Sequence, residues 1–427
     1  MHLFDDLSWR GLVYGATEGV RTMAADARLT AYIGFDPTAS SLHVGSLLPI
    51  LVLARLQRAG HTPIALVGGG TGMIGDPSGK TQERTLLSAD QVEENVAGIE
   101  RQLARFLDFG GTGSAVSNAA RLVNNAEWLT TVPLVTFLRD IGKHFTVNYL
   151  LQKESVSRRL ESADGISFTE FSYLLLQSYD YLELFDRYGC TLQMGGSDQW
   201  GNITAGIDLI RKTRGQRADG LVMPLVTTAS GVKFGKTEAG AVWLDPRRTS
   251  PFRFYQFWLN TDDSDVERYL KFFTFKTQAE IAALAEETRN APEKREAQRA
   301  LAREITTLVH SPEQVARVER AAALVFAEDI AMLPLEDVLD VFDDVPSTAI
   351  ERSAFDGDGV SVIDLLVRTT VVPSKSEARR LLQSGGIYVN NRRVSDVQAR
   401  LTVEQMIAGE LLLLRKGSRE TRLVRLA

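Results

Sequence analysis

Residues 32–46 read YIGFDPTASSLHVGS, and this stretch decides how the chain folds around it. It begins with the β-branched and apolar residues of a strand, continues through a polar loop and enters a helical pattern near Gly45. A helix that follows a strand directly presents free backbone N–H groups and its positive dipole end, which suits a phosphate. We therefore predict a site for ATP phosphates, with His43 and Thr38 as added donors and Gly45 allowing close approach. Taken alone, however, a histidine at a helix start is more often structural.

The segments on either side of this junction predict a parallel sheet. Short apolar runs alternate with longer helical patterns, which is typical of a Rossmann-like α/β nucleotide-binding domain. The candidate strands are 29–35, 63–69, 120–125 and 191–196, and the candidate helices are 45–59, 91–107, 167–184 and 198–213.

The pattern changes after the nucleotide-binding half. Successive amphipathic helices are followed by a stretch with prolines and acids, and then by a compact α+β pattern in which Ser374 caps a helix that stops at Gly385 and Gly386. We predict a catalytic domain at 1–220, a loop and connection at 221–247, a helical domain at 248–330, a linker at 331–355 and a small α+β domain at 356–427.

Composition and charge describe a globular protein with one basic region. The 427 residues are 44% hydrophobic and 24% charged, and the net charge of −6 argues against binding nucleic acid by bulk attraction. Residues 350–427, however, carry 13 basic and 9 acidic side chains. This indicates a local basic module on an acidic body.

Targeting signals are not evident in the sequence. The first residues, MHLFDDLSWRG, place acids where a signal peptide carries Lys or Arg, and no apolar run reaches membrane-spanning length. Cys190 is the single cysteine, so an intrachain disulfide is excluded, and we predict a buried apolar side chain there. These features predict a cytoplasmic protein with no membrane partner.

A second phosphate-binding candidate is the loop KFGKT at 233–237, which supplies Lys233, Lys236 and Thr237. Two lysines three residues apart on a glycine-flanked loop can close over a triphosphate and offset the charge on the leaving pyrophosphate. An isolated pair of this kind is usually a solvated turn. Its combination with residues 32–46 favours the ATP interpretation.

In that order, HVGS at 43–46 and KFGKT at 233–237 resemble the HIGH and KMSKS signatures of class I aminoacyl-tRNA synthetases. The runs GFDPTASSLHVGS, SFTEFSYLLLQSYDYLELF and LQMGGSDQWGNITAGIDLIRK are similar to the tyrosyl branch of that family, and residues 361–396 resemble the S4 RNA-binding domain. The resemblance spans essentially the whole chain. It implies an enzyme that activates L-tyrosine with ATP and transfers it to the 3′-terminal ribose of tRNA(Tyr).

The resemblance also implies a tyrosine pocket. A buried donor phenol beside an acceptor carboxylate would be left unpaired by phenylalanine, which agrees with selection for a hydroxyl. Tyr173, Gln177 and Asp180 have helical spacing, but from spacing alone a core tyrosine and a surface aspartate remain open. The implied roles are Tyr32 and Asp180 at the phenol hydroxyl, Asp76, Tyr173 and Gln177 at the ammonium, and Gln199 near the carboxylate.

The ATP contacts are implied in the same way. Mg²⁺ is expected to arrive with the nucleotide rather than on a metal site of the protein. The implied ATP-binding residues are Asp36, Gly45, Ser46, Gly195, Gly196, Asp198 and Lys236, with Lys80 and Arg84 near the phosphate-binding loops. Ser46 stands where the signature has its second histidine, and with Ile33 and Pro49 it leads us to expect an altered ATP affinity.

RNA contacts and assembly are implied less specifically. Lys375, Arg379, Arg392 and Arg393 are the candidate RNA contacts of the S4-like domain, although a solvated charged face is the alternative. Weaker candidates for the acceptor arm are Lys153, Arg211 and Lys212. A homodimer through the catalytic domain is expected, and the apolar stretch 133–142 could form that interface or cover the core.

Several other interpretations are weaker. Gly70, Gly72 and Gly75 match GxGxxG, but Asp76 and Pro77 follow at once, and Gly75 to Gly79 is one residue short of a Walker A loop. The remaining competitors are another class I synthetase such as the tryptophanyl enzyme, a small-molecule adenylyltransferase, and an RNA-binding protein on a synthetase scaffold.

Overall fold

The computed structural model describes residues 2–26, 28–78, 87–111, 116–161, 165–229, 231, 234–237, 240–325, 330, 335, 338–339, 342, 345–417 and 420–427. Lys80, Arg84 and Lys233 lie outside the described residues, and Lys236 and Thr237 are described by their backbone. The chain forms two compact units, residues 1–249 with 257–309 and residues 250–256 with 310–427.

The first unit is built on a six-stranded sheet. Its strands are β1 Gly15–Ala16, β2 Thr30–Phe35, β3 Thr62–Val67, β4 Arg121–Asn124, β5 Leu192–Gly196 and β6 Asp219–Met223. The order is β1-β6-β5-β2-β3-β4, and every neighbouring pair is parallel except β1 with β6. The predicted parallel α/β sheet is confirmed. The sequence interpretation had not proposed β1 and β6, because β1 has only two residues and β6 coincides with a predicted domain boundary.

Helices with clear capping signals cover this sheet. Ser167 accepts a hydrogen bond from the Glu170 N–H at the start of the longest helix, which ends at Gly189 in the left-handed conformation (φ 61°). Ser88 and Gln91 form a capping box. The helices up to β6 are α1 Leu3–Trp9, α2 Val20–Asp26, α3 Leu47–Arg58, α4 Ala89–Leu103, α5 Ala126–Leu129, α6 Leu134–Asp140, α7 Val147–Leu151, α8 Glu154–Leu160, α9 Phe168–Tyr188 and α10 Trp200–Arg214.

Short 3₁₀ turns lie where three of the site segments leave the sheet. The helix expected from Gly45 begins instead at Leu47, because the backbone first makes one 3₁₀ turn. These turns are Val44–Ser46, Thr71–Met73 and Ser197–Gln199.

The chain after β6 forms a small hairpin, which the sequence analysis had not proposed, and then the run of helices that it predicted. The hairpin consists of β7 Lys236–Thr237 and β8 Gly240–Ala241. The helices are α11 Pro251–Leu259, α12 Asp263–Phe273, α13 Gln278–Asn290, α14 Glu296–Val309 and α15 Pro312–Val325.

The second unit contains a small α+β domain. Its elements are β9 Ser347–Ile350, β10 Val360–Ser361, α16 Val362–Arg368, α17 Lys375–Gln383, β11 Ile387–Val389, β12 Arg392–Val394, β13 Arg400–Leu401, β14 Leu411–Lys416 and β15 Glu420–Leu426. A five-stranded sheet has the order β12-β11-β14-β15-β9, and β10 pairs with β13. Ser374 caps α17 as predicted, by accepting from the Glu377 N–H.

Strand β9 lies within the stretch predicted as a linker, 331–355. It pairs in parallel with β15, and the Ile350 side chain is buried in the same apolar core as Leu366 and Leu382. A four-residue strand beside Pro346 gives too short an alternation to be recognised in sequence. Among the described residues, no helix is long and apolar enough to cross a membrane.

Candidate active site

A cavity of about 680 Å³ opens at the carboxyl ends of β2, β5 and β6. The chain proceeds outward from β2 to β3 and β4 on one side and to β5 and β6 on the other, and α/β sheets bind ligands at such a switch point. Thr38 is exposed on the loop after β2 and is not among the lining residues. The predicted site residues that line the cavity are Tyr32, Asp36, His43, Gly45, Ser46, Asp76, Tyr173, Gln177, Asp180, Gly195, Gly196, Asp198 and Gln199.

Tyr32 and Asp180 form the buried end of this cavity. Tyr32 is only 1% exposed, and its hydroxyl has no hydrogen-bond partner among the described residues. Burial, and then the charge of Asp180, raise the Tyr32 pKa well above its usual value, so the phenol stays protonated. A buried phenol that has not met its hydrogen-bonding capacity is costly unless a ligand completes it.

The Asp180 carboxylate is held by two side-chain N–H groups. Asn125 Nδ2 donates to Oδ2 at 2.9 Å, and Trp128 Nε1 donates to Oδ1 at 2.8 Å. Burial raises the Asp180 pKa to about 7, although both hydrogen bonds act in the opposite direction. The carboxylate therefore titrates near neutral pH and is oriented before any ligand arrives.

A second cluster of polar side chains in the cavity is centred on the carboxylates of Asp36 and Asp76. Tyr173 Oη donates to Asp36 Oδ2 at 3.0 Å. Gln199 Nε2 donates to Asp76 Oδ2 at 2.8 Å, and Gln177 Nε2 donates to Gln199 Oε1 at 3.2 Å. This end of the cavity presents carboxylate and amide oxygens, which are the acceptors that an ammonium group needs.

Three side chains that support these groups were not identified from the sequence. Asn125 also accepts from the Gly70 N–H and donates to Thr71, and Asn202 Nδ2 donates to Gln177 Oε1 at 2.8 Å. Trp128 binds Asp180, as described above. Asn125 directly follows β4, and ligands bind at the carboxyl ends of parallel strands, so its position in the sequence could have identified it as a site residue. Trp128 and Asn202 lie on helices with no such signal.

Gln193 was also missed. Its side chain is buried on β5 opposite Tyr32, and its Oε1 has no hydrogen-bond partner within the described residues. A buried glutamine beside a cavity is recognisable only after the strand register is known.

At the junction predicted to bind phosphate, the N–H groups of Val44, Gly45 and Ser46 all donate to acceptors within the protein. His43 Nδ1 accepts from the Gly45 N–H at 3.0 Å, and a Cβ at Gly45 would lie 2.7 Å from the His43 ring. Gly45 is therefore required by the imidazole packed against it. The ring also lies edge-on to Trp243, with 6.2 Å between centroids.

The KFGKT loop is anchored beside this junction. Gly235 has φ 79°, and a Cβ there would lie 2.6 Å from Val44 Cγ2. Phe234 is buried in an aromatic cluster and stacks on Phe273 with 5.4 Å between centroids. The loop backbone is therefore held close to residues 43–45 through a glycine and a buried phenylalanine.

Another part of the cavity wall carries three of the predicted ATP-binding residues, Gly195, Gly196 and Asp198. Gly195 and Gly196 end β5, and a Cβ at Gly196 would lie 2.6 Å from Asp198 Oδ1. Ile33, Ser46 and Pro49, where the sequence departs from the family signature, line the same cavity. Their effect on ATP affinity stays a prediction.

In the second unit, two predicted RNA contacts already have protein partners. Arg393 Nε donates to the Gly385 carbonyl at 2.9 Å, and its Nη2 donates to the Ser384 carbonyl at 3.0 Å, just after the end of α17. Lys375 pairs with Asp364 at 2.6 Å. Arg379 and Arg392 are exposed.

The weaker acceptor-arm candidates also have partners. Arg211 and Lys212 both pair with Asp208, and the Lys153 ammonium lies 4.2 Å from the Tyr149 ring centroid. Exposed pairs of this kind are weak, so they leave these cations able to exchange partners.

Comparisons with known proteins agree with the geometry. Residues 24–327 match the model of tRNA synthetases class I (W and Y), and residues 337–424 match that of the tyrosine–tRNA ligase SYY-like C-terminal domain. The chain is 58% identical to the tyrosine–tRNA ligase of Roseiflexus castenholzii, over 99% of each chain. It is 54% identical to that of Geobacillus kaustophilus over 100% of each.

A solved structure gives the same result. A C-terminally truncated mitochondrial tyrosyl-tRNA synthetase of Aspergillus nidulans is similar with a TM-score of 0.68 and 33% identity, covering 76% of this chain and 94% of that one. The family models and the full-length relatives together leave one assignment: this chain belongs to the class I aminoacyl-tRNA synthetases, in the tyrosine–tRNA ligase family.

Proposed function

We propose that the cavity activates L-tyrosine and then charges tRNA(Tyr). In the first step a tyrosine carboxylate oxygen bonds to the α-phosphorus of ATP, and the bond to pyrophosphate breaks. In the second step the terminal ribose hydroxyl of the tRNA attacks the tyrosyl carbonyl, and AMP leaves. The observation that carries this proposal is the buried Tyr32 hydroxyl, which needs a partner beside the Asp180 carboxylate.

The side-chain groups support one orientation of the amino acid. A phenol hydroxyl between Tyr32 and Asp180 would accept from the first and donate to the second. The ammonium would then lie toward Asp76, Tyr173 and Gln177, with the carboxylate near Gln199. Because these groups are already linked by hydrogen bonds, the pocket needs little reorganisation to bind.

The chemistry of activation requires positioning more than proton transfer. The substrate carboxylate is already a nucleophile at neutral pH, so no general base is needed. We propose that the 43–46 backbone and His43, with Thr38 beside them, bind the outer phosphates, and that Lys233, Lys236 and Thr237 stabilise the leaving pyrophosphate. Asp36, Gly195, Gly196 and Asp198 are proposed for ATP binding.

Magnesium is proposed to enter with ATP. Within the described residues, no group of three or more His, Cys, Asp or Glu side chains could hold a metal ion. Mg²⁺ is usually bound by substrate phosphates together with one or two carboxylates. When bound, the ion would help to offset phosphate charge.

The second unit is proposed to bind tRNA. Exposed Arg379 is a better candidate than Arg393, whose guanidinium binds two carbonyls. We further propose that the protein works in the cytoplasm, where its tRNA substrate is found.

The proposed function is tested by amino-acid-dependent exchange of labelled pyrophosphate into ATP, with Mg²⁺ and without RNA. Tyrosine should support exchange, whereas phenylalanine and tryptophan should not. Exchange with tryptophan would contradict the tyrosine assignment. Failure with all three would favour an RNA-binding protein on a synthetase scaffold.

Tyr32→Phe should lower kcat/KM for tyrosine about tenfold, because one hydrogen bond of roughly 1.5 kcal/mol is lost. Activity with phenylalanine should not change. Tyr181→Phe is the matched control, since the Tyr181 hydroxyl is also buried but donates to the Asp219 carbonyl at 2.8 Å. If both variants keep the parent selectivity, Tyr32 does not bind the phenol.

Tyrosine affinity should fall as the pH falls below about 7, the pKa that burial gives Asp180. Ionised Asp180 accepts the phenol proton, so binding is linked to proton release and weakens by up to about tenfold per pH unit. The same raised pKa also affects stability. The contribution of Asp180 to the free energy of unfolding declines as the pH rises from 3.8, the pKa of an exposed aspartate, toward about 7.

Equilibrium dialysis with labelled tyrosine from pH 5.5 to 8 would measure this dependence. Asp180→Asn should remove it, while Asp186→Asn, on the same helix but paired with Arg214, should preserve it. An affinity that rises on acidification would show instead that protonated Asp180 donates to the phenol.

Gly235→Ala should reduce kcat for activation by roughly 10- to 100-fold, because its methyl would push the loop away from Val44 and misplace the phosphate groups. Tyrosine affinity should stay unchanged. Gly231→Ala is the control, since Gly231 has the same φ of 79° but open space around its Cβ. Equal losses in both variants would assign the effect to backbone strain alone.

A homodimer is proposed from exposed apolar side chains of α6, within the predicted interface stretch 133–142. Leu134, Val135 and Leu138 are 71%, 75% and 50% exposed, which is unusual for a free surface. Analytical ultracentrifugation should give about twice the 47.1 kDa chain mass. A monomer at micromolar concentration, with activity retained, would refute the proposal.

A further inference from the structure

One face of α4 contacts the loop that carries the phosphate-binding residues. Asn95, Gly98 and Gln102 lie three and four residues apart, so they project from the same side of the helix. Asn95 Nδ2 donates to the Pro37 carbonyl at 2.9 Å. A Cβ at Gly98 would lie 2.1 Å from the Ser40 carbonyl oxygen, so the loop backbone lies directly on the helix.

Gln102 makes the most specific of these contacts. Its Oε1 accepts from the Leu42 N–H at 2.8 Å, and its Nε2 donates to Ser41 Oγ at 2.8 Å. One side chain thereby fixes two consecutive residues immediately before His43. The amide is suited to this, because it offers an acceptor and a donor in one plane.

The same contacts reach the chain that returns from the KFGKT loop. Ser41 Oγ accepts from the Asp245 N–H at 3.2 Å, and the Leu42 carbonyl accepts from the Leu244 N–H at 2.9 Å. The next bond in this ladder joins the Val44 N–H to the Val242 carbonyl at 2.9 Å. Val242 in turn donates to the Gly235 carbonyl at 3.1 Å.

We propose that Gln102, with Ser41, is a positioning residue that sets the spacing between the two ATP-binding loops. It does not line the cavity at β2, β5 and β6, so it acts through the backbone of residues 41–45. Residues 41–45 and the chain that returns from the KFGKT loop are both hydrogen-bonded at the Gln102–Ser41 contact. A shift of this contact would therefore displace both His43 and Gly235. Because activation depends on alignment, a shift of about 1 Å can cost roughly 100-fold in rate. This inference rests on the proposed activation of tyrosine.

The test is Gln102→Leu in the full-length chain, measured by tyrosine-dependent pyrophosphate exchange and by tyrosine binding without ATP. We expect kcat for activation to fall at least about tenfold while tyrosine affinity stays within twofold, because the tyrosine pocket does not depend on this loop contact. A role in stability alone would not produce that split.

Gln57→Leu is the matched control. Gln57 bridges the Asp108 backbone in the same way, with Nε2 donating to the carbonyl at 2.6 Å and Oε1 accepting from the N–H at 2.9 Å. It lies at the other end of α3 from the phosphate junction. This variant should lose similar thermal stability but keep the parent kcat.

A second single variant, Ser41→Ala, keeps the test decisive if Gln102→Leu is poorly folded. Ser41→Ala removes the partner with little change in volume, and it should lower kcat by itself. Adding Gln102→Leu should then cost less than it does in the parent, because both residues act in one network. If kcat in the parent is normal but neither Gln102→Leu nor Ser41→Ala changes it more than Gln57→Leu does, the inference is overturned. A parent without exchange would instead overturn the proposed function.

Discussion

The Asp180 carboxylate is the constraint on which the proposed tyrosine pocket depends. It is buried at the end of the cavity, so its charge is costly there unless N–H donors satisfy it. Asn125 and Trp128 supply those donors, and Asn125 also binds Gly70 and Thr71. The carboxylate therefore links the segments after β3 and β4 to helix α9. A pocket built in this way selects a hydroxyl because its donor and acceptor are already fixed.

The phosphate end of the site follows a different principle. Few charged side chains are needed where a backbone loop precedes a helix, since the positive end of the helix already attracts anions. The placement of that loop therefore matters more than the identity of any one residue on it. Here α4 supports the loop from behind, while the chain around Gly235 packs against its front. Rigid support on two sides fixes the position of the loop.

The sequence was most informative where a residue type is required by local geometry. The parallel sheet, the strand-to-helix junction and the cavity positions of Tyr32, Asp76, Tyr173 and Asp180 were all anticipated, partly from spacing and chiefly from family resemblance. Supporting residues were not anticipated. Trp128 and Gln102 have ordinary helical positions, and their roles arise from contacts between elements distant in sequence. Strand β9 was missed because its partner, β15, lies more than sixty residues away.

The pKa values of Tyr32 and Asp180 explain why these two groups would work as a pair in the proposed phenol pocket. Burial raises the pKa of both Tyr32 and Asp180, but from very different starting values. Near neutral pH the tyrosine is therefore always a donor, whereas the carboxylate is close to its midpoint. A substrate hydroxyl that donates to Asp180 favours ionisation, and the Tyr32 donor completes its oxygen. Phenylalanine would offer neither contact, so burying its ring in the proposed pocket would leave the Tyr32 hydroxyl without a partner, which opposes the wrong substrate.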